Sequence, residues 1–246
     1  MTEYHYDLHM HSCLSPCADN DMTPASIAGM AVLNGLNIIA LTDHNSAKNC
    51  PAFFKACKAY GIVPIPGMEL DTAEEVHMVC LFRTLEDALA FDSEVEKNML
   101  PVKNRPEIFG DQHIVNEEDE ILAEYETLLI TATSLTIGDA VQLVAEYRGV
   151  CFPAHIDRES NGILAMLGGM PESPFFPTVE LSLMGDPEEY AAREDCRGKR
   201  FLHSSDAHHL WDISEGGHTV LLDDEPYSGQ RVRDALIDLL LDRIHA

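Results

Sequence analysis

The chain has 246 residues, 46% of them hydrophobic, enough to bury one large core, so a single domain spanning 1–246 is expected, as for α/β barrels of this size. Its 16 Lys and Arg stand against 42 Asp and Glu, a formal charge of −26, which counts against a nucleic-acid backbone or an anionic membrane as a surface partner; stable binding of duplex nucleic acid is not expected. The seven cysteines form no CxxC pair, which suggests neither a disulfide framework nor a structural zinc module; with no leader or spanning run in view, a soluble cytoplasmic protein is expected.

The first predicted element is a strand over Tyr4–His11 (YHYDLHMH). Side chains on a strand alternate between faces, so Asp7, His9 and His11 share one face, and two imidazoles two residues apart can chelate one ion from a single side. After a loop, Thr23-Pro24 supplies a capping residue and a proline at the first helical position, predicting a helix through Leu36. Asn37–Leu41 reads as a short strand ending in Thr42-Asp43-His44, and Pro51–Tyr60 as a helix stopped by Gly61. Ile62–Ile65 is a strand leading into Gly67-Met68-Glu69, Val76–Phe82 a strand carrying His77, and Leu85–Leu100 an acidic helix. Strands separated by helices of this length imply parallel pairing with right-handed crossovers.

From about 101 to 134 the rhythm breaks, and this acidic stretch reads as an inserted segment lying over one end of the core. Rhythm returns with a helix over Thr136–Tyr147, a strand over Val150–Phe152 that ends in Pro153-Ala154-His155, and a helix around Gly162–Leu167. Thr178–Leu183 is a strand, Pro187–Cys196 a helix, and Arg200–Leu202 a strand opening into His203-Ser204-Ser205-Asp206-Ala207-His208-His209. A strand over His218–Leu222 and an amphipathic helix over Gly229–Ile244 close the chain.

The polar residues in this pattern are not scattered. His9, His11, Asp43, His44, Glu69, His155, Asp206 and His208 fall at or just past the C-terminal ends of strands, and in parallel α/β folds those ends converge on one face. Separate strands would therefore deliver these donors to one metal site, and a donor set of this size favours two or three ions over one.

The motifs D7-L-H9-M-H11-S, T42-D43-H44, G67-M-E69, H155 after a strand, and D206-A-H208 resemble, in order and spacing, those of the PHP (polymerase and histidinol phosphatase) family. The resemblance implies a distorted (β/α)7 barrel with its metal centre at the C-terminal strand ends. It implies one ion held by His9, His11, Glu69 and Asp206, a second bridged by Glu69 and held by His77 and His155, and a third reached by His44 and His208. Asp19, four residues ahead of Thr23, fits the place of one more ligand, with Cys17 as the competing candidate. Asp7 and Asp43 are expected to orient imidazoles by accepting a ring N–H.

The activity implied is hydrolysis of a small-molecule phosphate ester, a phosphomonoester or nucleotide-type substrate, by a hydroxide bridging divalent Zn, Fe or Mn ions. Arg158, in HIDR, is the guanidinium best placed to grip phosphate; His208 or the adjacent His209 could protonate the leaving group or contact substrate. An amidohydrolase-like hydrolase of C–N or C–O bonds is the alternative. No lysine of this chain ends a strand that carries ligands, which favours phosphate. A non-catalytic metal-binding module is the remaining reading, and oligomeric state is not legible.

Overall fold

A computed structural model describes residues 1–242. The first half runs β1 (Thr2–Asp7), α1 (Pro24–Leu33), β2 (Ile38–Leu41), α2 (Cys50–Tyr60), β3 (Val63–Asp71), β4 (His77–Leu81) and α3 (Leu85–Glu96). The segment without sequence periodicity holds a short helix α4 (Pro106–Phe109) and the strands β5 (His113–Val115) and β6 (Ile121–Glu124). Then come α5 (Ile137–Glu146), β7 (Val150–Pro153), α6 (Ile163–Leu167), β8 (Thr178–Leu181), α7 (Pro187–Ala191), β9 (Arg200–His203), β10 (Thr219–Leu222) and α8 (Gly229–Leu240). Local chemistry sets several boundaries. Thr23 Oγ1 accepts the Ser26 N–H at 3.2 Å ahead of Pro24, and Thr136 with Asp139 forms a reciprocal capping box at the start of α5. Gly61, at φ 74°, closes α2 in the left-handed conformation that glycine adopts without strain.

Six strands form a curled sheet in the order β10-β1-β2-β3-β4-β7, beside a parallel β8–β9 pair and an antiparallel β5–β6 hairpin. Backbone bonds draw the pair toward the sheet: Ile156 N–H donates to Glu180 O at 2.8 Å, and His11 N–H to Ala207 O at 3.0 Å. One sheet face, with Tyr6, Ile38, Ile65, Val79 and Phe152, packs against Val232, Leu236, Ile237 and Leu240 of α8. Alternate strand residues, among them Ile39, Leu41 and Met78, join Ile27 and Ala31 of α1 and Phe53 of α2 in the second core cluster.

Three expectations are corrected. Pairing is not uniformly parallel: β4 runs antiparallel to both β3 and β7, because the tight turn over residues 72–76, closed by Thr72 N–H to Val76 O at 3.1 Å, reverses the chain with no helix between. The first strand stops at Asp7 instead of continuing to His11; beyond it the backbone leaves the ladder except for an isolated bridge from Met10 to Ala207. The third strand is longer than predicted and carries Glu69 within it. The end predicted for the last helix, Ile244, lies outside the described residues.

The segment around 101–134 is fastened to the loops that follow β1 and β2. Asn45 donates to Leu129 O at 2.7 Å and Thr131 O at 2.9 Å, Asn49 donates to His113 O at 3.0 Å, and His113 N–H donates to Cys13 O at 2.9 Å. Among the described residues no helix is long and apolar enough to cross a membrane.

Gly67 shows why the residue two before Glu69 has no side chain. A Cβ there would lie 2.8 Å from the backbone oxygen of Cys80 and 2.8 Å from Leu81 Cδ2 on the paired strand β4. Gly67→Ala is therefore expected to cost about 1–3 kcal/mol by overpacking, seen as a lower urea midpoint at an unchanged m-value.

Candidate metal centre

Glu69, buried on β3, is the hub. Its Oε1 lies 3.2 Å from His9 Nε2, 2.9 Å from His77 Nδ1 and 3.1 Å from His155 Nε2, and its Oε2 lies 3.3 Å from His11 Nε2 and 3.1 Å from His44 Nδ1. Asp206 sits beside it, with Oδ1 3.0 Å from His11 Nε2 and 3.4 Å from His9 Nε2, while Oδ2 accepts from Arg158 at 2.5 Å. His208 stacks on His11 with ring centroids 4.4 Å apart and donates its Nδ1–H to Asp206 O at 2.8 Å. These residues come from the chain after β1 (His9, His11), after β2 (His44), from β3 and β4 (Glu69, His77), and from the loops after β7 and β9 (His155, Asp206, His208). Two of them hold the backbone in the left-handed region, His155 at φ 25° and Asp206 at φ 52°, a conformation that costs a residue other than glycine on the order of 1 kcal/mol or more.

The imidazoles are oriented from behind. Glu180, buried on β8, accepts the His9 Nδ1–H at 2.8 Å and the His155 backbone N–H at 3.2 Å, which turns His9 Nε2 toward Glu69. His11 Nδ1–H donates to Ser15 Oγ at 3.1 Å, and that hydroxyl in turn donates to Asp43 at 2.7 Å. Asp43 also takes the Ser12 N–H and Oγ–H, both at 2.7 Å. Asp7 accepts the backbone N–H groups of Ser205 and Ser214, both at 3.1 Å. Neither aspartate touches a ring nitrogen: Asp43 acts through Ser15, and Asp7 fastens the loop that carries Asp206 and His208.

The donor set suits divalent cations. A carboxylate offers about four lone-pair sites, so five imidazole nitrogens cannot all be satisfied by Glu69 alone. His9 Nε2 and His44 Nδ1 are buried without any hydrogen bond, although each lies within 3.2 Å of Glu69. Three overlapping groups bring their donor atoms within 4.8 Å of one another: His9, His11, Glu69 and Asp206; His44, Glu69 and His77; and His11, His44 and His208. Imidazole and carboxylate in this ratio fit Zn, Mn or Fe.

Electrostatics make protons compete with such ions. Burial opposes protonation of His9, yet Glu180, Glu69 and Asp206 outweigh it and raise its pKa well above the usual value. His11 is likewise disfavoured by burial but carried up to about 9 by Asp206 and Glu69, and Glu69 raises His77 against its own burial. Burial with little compensation drives His44 well below the ordinary range and His208 down to about 4, the latter aided by repulsion from His11. Burial alone would raise Glu69, but the surrounding imidazoles hold it far below the usual carboxylate range. The protons that these carboxylates favour on His9 and His11 must be displaced by an incoming cation. Metal affinity is thus expected to rise with pH, about tenfold per pH unit for each proton displaced, in titrations against a metal buffer at pH values of about 6, 7 and 8.

The centre opens into a cavity of about 340 Å³ whose wall includes Cys17, Asp71, Ile130 and Arg158. Asp19 is not among the clustered donors: it accepts the Asp21 N–H at 3.1 Å, and its Oδ2 lies 3.5 Å from His209 Nδ1. The Cys17 thiol is pushed up to about 12 by burial and by Glu69 and Asp206. Arg158 reaches the cavity and also holds Asp206. Sequence reasoning missed Glu180, Ser15 and Asp71. A glutamate inside the apolar run Thr178–Leu181 was a legible signal; Ser15 and Asp71 had none. Asp71 leaves one buried oxygen unpartnered, and burial raises its carboxyl to about 6.

The 5'-3' exoribonuclease of Haemophilus influenzae is 35% identical over 79 residues, 31% of this chain and 28% of the relative. The chain thus spans under a third of that curated relative. In fold it resembles the lesion-specific endonuclease PfuEndoQ of Pyrococcus furiosus, with a TM-score of 0.70 and 19% identity over 97% of this chain and 56% of the other. It also resembles a protein of Bifidobacterium adolescentis assigned provisionally as a metal-dependent phosphoesterase, with a TM-score of 0.58 and 17% identity over 94% of this chain and 95% of that one. The family model of the PHP domain matches residues 7–167, more than half of the sequence and the part that carries six of the eight donors around Glu69, namely His9, His11, His44, Glu69, His77 and His155. The chain belongs to the PHP domain family.

Proposed function

We propose that the chain is a metal-dependent phosphoesterase that hydrolyses small phosphate esters, phosphomonoesters or nucleotide-type substrates, at the Glu69 centre. The observation that carries the reading is one buried carboxylate approached by five imidazoles, of which His9 and His44 turn a ring nitrogen without a hydrogen bond toward it, at the foot of a cavity bearing an arginine. Two or three Zn, Fe or Mn ions bound there would supply hydroxide near neutral pH and neutralise phosphate charge. His9, His11, His44, Glu69, His77, His155, Asp206 and His208 would hold them, with Glu69 shared. Glu180 and the Ser15–Asp43 relay keep His9 and His11 turned inward, and the buried walls limit water. We read the curled sheet together with β8 and β9 as a distorted (β/α)7 barrel, and residues 1–246 as one domain of a cytoplasmic protein.

Arg158 is assigned to the substrate. A guanidinium carries five N–H groups, and its bond to Asp206 uses one. Arg158→Ala is expected to raise KM about tenfold or more with a smaller effect on kcat, and Arg158→Lys to recover only part, since lysine lacks the bidentate fork.

Two of the relatives are nucleases by name, so nucleotide-type and oligonucleotide esters stay within the proposal. The charge of −26 supports no long-range attraction for a duplex. The test is a phosphate-release screen over sugar phosphates, histidinol phosphate and nucleotides with metal-loaded protein, His9→Ala as control. Release from at least one ester, lost in the control, is the expected result; no release from any ester overturns the reading.

A further inference from the structure

The only tryptophan of the sequence, Trp211, stands 75% exposed, an unusual position for the largest apolar side chain. Its ring lies flat on His209, centroids 4.7 Å apart and planes within 5°. His209 directly follows His208 of the candidate metal centre.

The turn that presents this pair is held at both ends. On the site side, Asp19 N–H donates to His208 O at 2.9 Å and His209 Nδ1 lies 3.5 Å from Asp19 Oδ2. On the far side Ile213 is buried, Asn34 donates to Ile213 O at 2.9 Å, and Ser214 N–H donates to Asp7 at 3.1 Å. Between these anchors the 3₁₀ turn Leu210–Asp212 sends Leu210 against the core while Trp211 is left facing water. The backbone that presents the pair is therefore held before any ligand arrives, and the His209 ring backs one face of the indole, which lowers the entropy lost on binding.

We propose that His209 and Trp211 form a stacking platform for a nucleobase of the substrate, next to the phosphate site. The inference rests on the phosphoesterase reading and narrows its substrate class to nucleotides or the ends of oligonucleotides. Its physical logic lies in the charge balance. With 42 acidic and 16 basic side chains the surface offers a polyanion little attraction, so affinity beyond the metal site must come from short-range contact. An aromatic face supplies it for any base, since every base has a π-face.

The test compares AMP with ribose 5-phosphate, which share sugar and phosphate and differ in the base, using metal-loaded protein. AMP is expected to be preferred in kcat/KM. Trp211→Ala should reduce that preference about tenfold or more, chiefly through KM, and Trp211→Phe should keep most of it. The single tryptophan also reports binding directly: AMP should quench its fluorescence saturably and ribose 5-phosphate should not. An unchanged preference in Trp211→Ala together with no quenching overturns the platform, while hydrolysis of both esters in that result leaves the phosphoesterase reading standing. Quenching by AMP with no hydrolysis of either ester supports the platform, and the phosphoesterase reading is then overturned if the wider screen also gives no release from any ester.

Discussion

Glu69→Ala is expected to lower kcat/KM for phosphate release by about a thousandfold or more, because removing one preorganised electrostatic group from an active site already costs about a hundred- to a thousandfold and Glu69 would serve more than one ion. The geometry explains the size of the loss. All five imidazoles of His9, His11, His44, His77 and His155 lie 2.9–3.3 Å from its two oxygens, so each candidate ion loses a ligand or a neighbour when it goes. Glu69→Gln keeps the shape but removes the charge, and should be impaired almost as much. Circular dichroism of both variants separates loss of the centre from loss of the fold, and elemental analysis should show fewer ions per chain in each.

Glu180→Ala should weaken metal binding about 10–100-fold, the range found when a carboxylate behind a ligating histidine is removed. Glu180 does not itself line the cavity; from β8 it accepts the His9 Nδ1–H at 2.8 Å and the His155 N–H at 3.2 Å. A purely structural role would lower stability without altering metal affinity. The positioning role predicts that excess metal restores much of the rate, and that Glu180→Gln, which can still accept the ring N–H, falls between the wild type and Glu180→Ala.

The donors at the centre were legible because they break a local rule. A strand end in a core should be apolar, and His9, His11, His44, Glu69, His155 and Asp206 are polar in that position. The supports were less visible because they lie far away in sequence. Glu180 is 171 positions from His9, and no spacing rule pairs them. Proximity in sequence suggests Asp7 and Asp43 as direct partners of the imidazoles, whereas backbone geometry turns Asp7 to the loop after β9 and interposes Ser15 before Asp43. Strand direction failed at β4 for a related reason. Hydrophobic runs carry no sign of direction, and the reversal depends on a short turn at Thr72–Val76 that holds no proline or glycine to announce it. The segment around 101–134 had no period because its strands are three and four residues long and it is held by side-chain bonds to Asn45 and Asn49.

The most direct test of the central claim is a metal count. Elemental analysis of the purified chain, reconstituted with Zn, Mn or Fe and freed of excess ion, should give two or three ions per chain, and the count should fall in Glu69→Ala. A chain that retains no transition metal under these conditions would contradict the account, since the buried imidazoles around Glu69 would then have another purpose.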